Sequence, residues 1–226
     1  MLISFSLENW MSFADKASLN MVASKERQHG EHLARIKKYQ MRVTPIAGVY
    51  GGNASGKSNL FQALKFLKNL VVEGTKPDDY IKVSPFRSGD FSEDRASRFV
   101  LELLVNDRVY EFTISVTREA VLEEKLVEIL STNERVLYHR KEGTIEFMKS
   151  IKNDGFMNFA FQGTRRNELF LTNSVNQNVE MFKPIYNWFK NQLELIAPDA
   201  RFGTIDQFIQ EEHPMYEQFN KVLSEL

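Results

Sequence analysis

The sequence has no cysteine, almost no net charge and no long apolar run. The missing cysteines exclude disulfides and thiolate metal sites, and they are typical of a protein from a reducing compartment. A net charge of −1 gives no global field that would attract nucleic acid or an anionic membrane. No stretch approaches the roughly 20 apolar residues that span a bilayer, and the N-terminus lacks the features of a signal peptide. We therefore expect a cytoplasmic globular protein without a membrane partner.

One nine-residue stretch carries the clearest chemistry. It contains the pattern G-x-x-x-x-G-K-[ST], in which glycines let backbone N–H groups turn towards the β-phosphate of a nucleotide. A helix that begins just after the glycines directs its free N–H groups and its positive dipole end at the same anion. The residues of this predicted phosphate loop are Gly51, Gly52, Asn53, Ala54, Ser55, Gly56, Lys57, Ser58 and Asn59.

Two side chains of the loop have specific predicted roles. Lys57 can reach the β- and γ-phosphate oxygens and is the candidate catalytic residue, while the Ser58 hydroxyl can bind the Mg²⁺ that accompanies them. The pattern is meaningful only between a strand and a helix. The apolar run Val43 to Tyr50 predicts a short buried strand before the loop. An apolar stripe at helical spacing follows the loop: Leu60, Leu64, Leu67 and Val71.

The N-terminal residues predict a β-hairpin, because Ile3, Phe5 and Leu7 alternate with polar residues before a turn. Trp10 and Phe13 lie at that turn, where core packing is the preferred interpretation and a place beside an adenine is the alternative. The basic segment from Ser24 to Arg42 predicts a solvated loop or short helix, with a patch that contacts nucleic acid or nucleotide as the alternative.

Further along the chain, the spacing of the hydrophobic residues changes from the helical period of 3.6 to the strand period of 2, and it then returns to the helical period. Phe99–Val105 and Val109–Val116 predict two strands joined by a tight turn, and three more strands follow up to Met148. Helical spacing then dominates, and the last stripe ends without a stop signal. We predict a phosphate-loop lobe over 1–98, an antiparallel β segment over 99–150, and a helical segment over 151–226 that is incomplete at its C-terminal end.

The opening strand and turn, Phe5–Phe13, and the segment Tyr50–Leu60 together resemble the N-terminal lobe of ABC/SMC-like AAA-family ATPases. The sequence is similar in particular to those of bacterial anti-phage defence systems, such as the RloC, PtuA and OLD-type proteins. This resemblance implies an α/β fold, with a P-loop NTPase core like that of ABC and SMC heads, an inserted antiparallel β segment and C-terminal helices. It also implies ATP and Mg²⁺ as cofactors and ATP hydrolysis as the activity. Two copies would sandwich ATP head to head and drive a nuclease effector, and nucleic acid is a further candidate partner.

Two family motifs for hydrolysis are not found, namely a Walker B carboxylate pair and a serine-glycine signature helix. In the family these motifs lie further along the chain than position 226. Leu193–Asp199 is a poor Walker B match, since Glu194 interrupts its apolar run. Gln162 and Gln177 are weak candidates for the glutamine between the lobes. A scaffold that binds ATP without hydrolysing it therefore stays an alternative, whereas a small GTPase would need an N-K-x-D segment, which is absent.

Overall fold

The computed structural model describes residues 1–24, 30–87 and 95–196. Their largest element is an antiparallel sheet of seven strands in the order β2-β1-β5-β6-β7-β8-β9. The strands are β1 (Leu2–Glu8), β2 (Ala17–Asn20), β5 (Ser97–Val105), β6 (Arg108–Val116), β7 (Val121–Ile129), β8 (Glu134–Lys141) and β9 (Thr144–Phe147). Strands β3 (Ala34–Ile36) and β4 (Met41–Val43) form a separate two-stranded hairpin.

The predicted hairpins are confirmed, together with the turns that connect them. Asn106 and Asp107 both have positive φ (49° and 59°) between β5 and β6, as the turn that matches strand twist requires. Glu142 and Gly143 also have positive φ, in the turn between β8 and β9. Strand β1 alternates buried and half-buried residues as predicted. It pairs with β5 across the boundary at residue 98, so the N-terminal strands and the antiparallel segment share one sheet.

The helices pack on one face of this sheet. They are α1 (Lys57–Val72), α2 (Gly155–Gln162), α3 (Phe170–Asn176) and α4 (Lys183–Asn187), and α4 continues as a π-helical turn over Trp188–Gln192. The rings of Phe112 and Phe189 meet edge to face at 6.1 Å, and Tyr138 meets Phe170 and Phe182 at 5.0 and 5.2 Å. These side chains are fully buried, so aromatic packing from several helices forms the centre of the core.

The opposite face of the sheet carries charged side chains in cross-strand pairs. Arg98 pairs with Glu123, and Glu123 also lies 2.9 Å from His139. The β3–β4 hairpin covers one end of this face, where Ile36 and Val43 pack with Ile3 and Val109. The basic segment thus folds as two short 3-10 helices, Gly30–His32 and Lys37–Tyr39, as the short-helix prediction allows, and as the β3–β4 hairpin, which was not predicted. Its residues 25–29 lie outside the described part.

The predicted buried strand from Val43 to Tyr50 is wrong. Strand β4 ends at Val43, and residues 44–50 form no strand, with Ile46 83% and Tyr50 94% exposed. A buried strand needs hydrogen-bonding neighbours, and no described residue pairs with the backbone of residues 45–50. The apolar composition therefore indicated a preference for burial, but the described chain gives residues 44–50 no sheet to enter.

Residues Met1–Leu193 form one compact unit, and Glu194–Leu226 form a second. Only residues 194–196 of the second unit are described, and they form neither helix nor strand. The last predicted helical stripe lies outside the described residues. The division into segments 1–98, 99–150 and 151–226 stays a prediction. Within the described ranges, no helix has the length and apolar character to cross a bilayer.

Candidate nucleotide-binding site

The phosphate loop lies on the surface directly before α1. Helix α1 begins at Lys57, just after the glycines as predicted, and Gly56 is its N-cap with φ 94°. Ala54 also has a left-handed backbone, with φ 63°. These two positive φ values turn the chain back on itself, so that residues 51–56 curve around the N-terminal end of the helix. The loop is thus followed by a helix as predicted, but residues 44–50 before it form no strand.

The loop presents a row of free hydrogen-bond donors. No described group accepts from the backbone N–H of Asn53, Ala54, Gly56, Lys57 or Ser58. Three of these donors belong to the helix N-terminus, which always leaves its first N–H groups without an intrahelical partner. Within the described ranges, no side chain caps this end. An exposed helix start with free amides and a positive dipole end is suited to an anion, above all a phosphate.

The side chains of Lys57 and Ser58 complete the site. Lys57 Nζ donates to the carbonyl oxygens of Gly51 and Gly52, at 2.7 Å each, and lies 3.5 Å from Ser55 Oγ. The ammonium group therefore lies inside the curve of the loop, close to the free amides. The exposed Ser58 hydroxyl makes no hydrogen bond within the described part of the chain. Lys57 also forms no ion pair there, so its charge is available to an incoming anion.

The turn after β1 holds the start of α1 in place. Trp10 Nε1 donates to the Asn59 carbonyl at 2.8 Å, and Asn59 Nδ2 donates to Ser12 Oγ at 2.8 Å. A Cβ on Gly56 would lie 2.7 Å from Ser12 Oγ and 3.2 Å from Phe13 Cζ. Sequence patterns place these residues in a turn but cannot show that it meets the loop more than 40 residues later. The pairing of β1 with β5 and the packing of α1 bring them together.

Trp10 itself belongs to the core, as the preferred interpretation predicts. It is 3% exposed, and its ring lies 5.1 Å from that of Phe66 and 5.4 Å from that of Phe99. Phe66 is on α1 and Phe99 is on β5, so Trp10 joins the helix to the sheet. A stacking partner for an adenine would need an accessible face, which Trp10 does not have.

The residues present fit a nucleotide phosphate with magnesium. The free amides and the Lys57 ammonium match phosphate oxygens, and the Ser58 hydroxyl is an oxygen ligand of the kind that Mg²⁺ accepts. No described carboxylate pairs with Lys57, and the described residues hold no group of three or more His, Asp or Glu side chains that could bind a metal by themselves. The loop alone therefore explains binding better than it explains hydrolysis.

The weaker candidates from the sequence do not join the loop. Gln162 is exposed at the end of α2, and Gln177 donates to Asn173 beside it, near Gly163. In the poor Walker B match, Leu193 is buried but Glu194 is exposed and no strand forms. Asp199 lies outside the described residues.

A groove of about 390 Å³ runs beside α1, away from the loop. Three lysines line it, Lys65, Lys76 and Lys82, together with Glu73 and Asp79. Because the opposite charges nearly cancel, the groove is not a second anion site.

A second helix N-terminus is filled from within the protein. Glu124 of β7 is fully buried and accepts hydrogen bonds from the N–H groups of Phe170 (2.6 Å) and Leu171 (2.9 Å) at the start of α3. Tyr138 OH donates to it at 2.8 Å, and Arg140 Nη1 lies 3.7 Å away. Burial raises the pKa of the Glu124 carboxyl, whereas Arg140 and the donated hydrogen bonds act to lower it.

Comparison with known proteins identifies the family. Residues 46–221, more than half of the chain, match the AAA_21 family, described as "AAA domain, putative AbiEii toxin, Type IV TA system". The chain belongs to this family. The matched range begins just before the phosphate loop, and an AAA_21 domain implies nucleotide binding by an NTPase domain. No curated protein matches the chain significantly.

Proposed function

We propose that this AAA_21 protein binds ATP with Mg²⁺ through residues Gly51–Asn59. The observation that carries this proposal is the exposed start of α1, where five backbone N–H groups have no described partner and the Lys57 ammonium lies among them. Lys57 exchanges the carbonyls of Gly51 and Gly52 for β- and γ-phosphate oxygens when the nucleotide enters. Ser58 would then provide an oxygen ligand to the metal ion, whose positive charge offsets the negative charge of the phosphates.

The wider role that we propose is that of the N-terminal part of an ABC/SMC-like ATPase in bacterial anti-phage defence. The resemblance of Phe5–Phe13 and Tyr50–Leu60 to such ATPases supports it, and so does the family description, which names a toxin system. In this proposal two copies bind ATP head to head and couple its binding or hydrolysis to a nuclease effector. ATP-dependent dimerisation, measured by sedimentation with and without nucleotide, tests the oligomeric part.

The binding proposal is tested by the substitution Lys57→Ala. Affinity for a fluorescent ATP analogue with Mg²⁺ should fall below detection, because the substitution removes the positive charge that offsets the negative charge of the phosphates. Lys65→Ala is the matched control, since Lys65 is on the same helix and its exposed side chain has no contact with the loop. Equal affinity of the wild type and Lys57→Ala would contradict the proposal.

The alternative is a subunit that binds ATP as a structural component and does not hydrolyse it. It is favoured by one observation, namely that no carboxylate of the described residues pairs with Lys57 or joins Ser58. Phosphoryl transfer needs several groups to position the attacking water and stabilise charge, and the loop supplies only some of them. Phosphate release by the purified chain, abolished by Lys57→Ala, would exclude this alternative.

A further inference from the structure

The geometry points to the turn Asn9–Phe13 as a positioning element for phosphate binding, acting through Asn59 and Gly56. This inference rests on the proposed function and adds residues outside the loop to it. We infer that the turn fixes the first residues of α1 in the position required for phosphate binding. The environment of Trp10 would then change when the loop is occupied.

The turn is itself held firmly by the surrounding chain. Asn9 is fully buried with φ 52°, its Nδ2 donates to the Arg95 carbonyl at 2.7 Å, and its own carbonyl accepts from Ser97 Oγ. Met11, with φ 46°, donates its N–H to the Ser84 carbonyl at 2.8 Å. These bonds anchor the turn to the start of β5 and to the segment before it. A turn tied at several points can serve as a fixed reference for the helix beside it.

Its contacts with α1 restrain the helix start in both directions. Movement of α1 towards the turn is blocked, since Gly56 already lies against Ser12 and Phe13 with no space for a Cβ. Movement away from the turn would break the bonds from Trp10 Nε1 to the Asn59 carbonyl and from Asn59 Nδ2 to Ser12 Oγ. The free amides of Gly56, Lys57 and Ser58 lie directly beside these contacts. Their direction therefore depends on a turn that does not touch the nucleotide in this proposal.

The first test is the affinity of Ser12→Ala for Mg²⁺ with the non-hydrolysable analogue AMP-PNP. The lost bond is at the surface, where water can replace it, so the fold should remain while the restraint on Asn59 is lost. We expect affinity to fall about threefold to tenfold, the effect of one neutral hydrogen bond. Ser18→Ala is the matched control, because Ser18 is exposed on β2 of the same hairpin.

Affinities are compared at a temperature where circular dichroism shows each variant to be folded. Under that condition a purely structural role of Ser12 predicts unchanged affinity, and that result would overturn the inference. Trp10→Phe is the second variant, since it keeps an aromatic side chain in the core and removes the indole donor. A similar loss of affinity in Trp10→Phe supports the inference, and wild-type affinity in both variants contradicts it.

The second test follows Trp10 fluorescence in a Trp188→Phe background. The sequence has two tryptophans, and Trp188 Nε1 is buried with no hydrogen-bond partner among the described residues, so replacement by phenylalanine removes no hydrogen bond and keeps an aromatic side chain beside Phe189. Trp10 emission should change as AMP-PNP saturates the loop, and Ser12→Ala should reduce the change. Constant emission at saturation would overturn the inference. If the wild type binds no nucleotide, the proposed function itself fails, and the two failures are thereby distinguished.

Discussion

The N-terminal ends of α1 and α3 both have N–H groups without partners inside the helix, but only at α3 does a described carboxylate accept hydrogen bonds from them. Both are helix N-termini with free N–H groups and no side-chain cap from their own N-cap residue. At α3 a carboxylate from β7, Glu124, fills the position, and the site is sealed in the core. At α1 nothing described fills it, and the position is open to solvent.

This difference separates a structural site at α3 from the proposed binding site at α1. A buried anion with permanent donors holds two elements together, and it has no role left for a ligand. An open helix start with a movable cation costs stability locally but can accept an anion from solution. The dipole and the free amides of a helix start thus contribute to stability at α3 and, in the proposed function, to recognition of a phosphate at α1. The following predictions test that division, from the largest effect to the smallest.

Glu124→Gln should cause the largest loss of stability. The amide keeps the shape but removes the carboxylate that lies 3.7 Å from buried Arg140, and it places an N–H donor group against the N–H groups of α3. Removing one partner of a buried ion pair costs about 3 kcal/mol or more of unfolding free energy. Urea denaturation measures this loss. The neighbouring Glu123→Gln is the control, because its pairs on the open sheet face should contribute at most about 1 kcal/mol. Similar losses in both variants would show that α3 does not depend on the internal carboxylate.

Gly56→Ala should damage both stability and binding. The left-handed φ of 94° costs an L-residue about 1–2 kcal/mol, and the added methyl group meets Ser12 and Phe13. Gly143→Ala is the matched control: Gly143 has φ 80° but no atom within 4 Å of the added Cβ. Thermal unfolding and AMP-PNP titration of both variants separate backbone strain from contact with the turn. Intact nucleotide binding in folded Gly56→Ala would show that the start of α1 tolerates displacement.

Ala54→Gly should have the smallest effect, and it should be favourable. Glycine adopts the φ of 63° without steric cost, but it loses more conformational entropy on folding than alanine does. We expect a net gain of about 0.5 kcal/mol in unfolding free energy, measured by thermal denaturation, with nucleotide affinity retained. A destabilised Ala54→Gly variant would mean that the alanine methyl group contributes to the loop.

Local patterns were sufficient for most of the fold and for the loop. Two-residue turns such as Asn106–Asp107 can be predicted because few residues adopt positive φ, and strands with alternating polarity follow from one buried face. Helix α1 could be placed to within one residue, since glycine, lysine and the apolar stripe agree. The failure at Val43–Tyr50 has the opposite cause: apolar residues report a preference for burial, and whether a sheet is there to receive them depends on the rest of the chain.

What the sequence determined by itself is a glycine-rich loop at the start of a helix, with the lysine and serine that predict a phosphate site, because this pattern depends on neighbouring residues only. The contacts from Trp10 and Ser12 to Asn59, and the capping of α3 by Glu124, were decided by the tertiary structure. Each joins residues more than 40 positions apart, and hydrogen bonds over such separations form only when strand pairing and helix packing have brought the groups within 3 Å of each other.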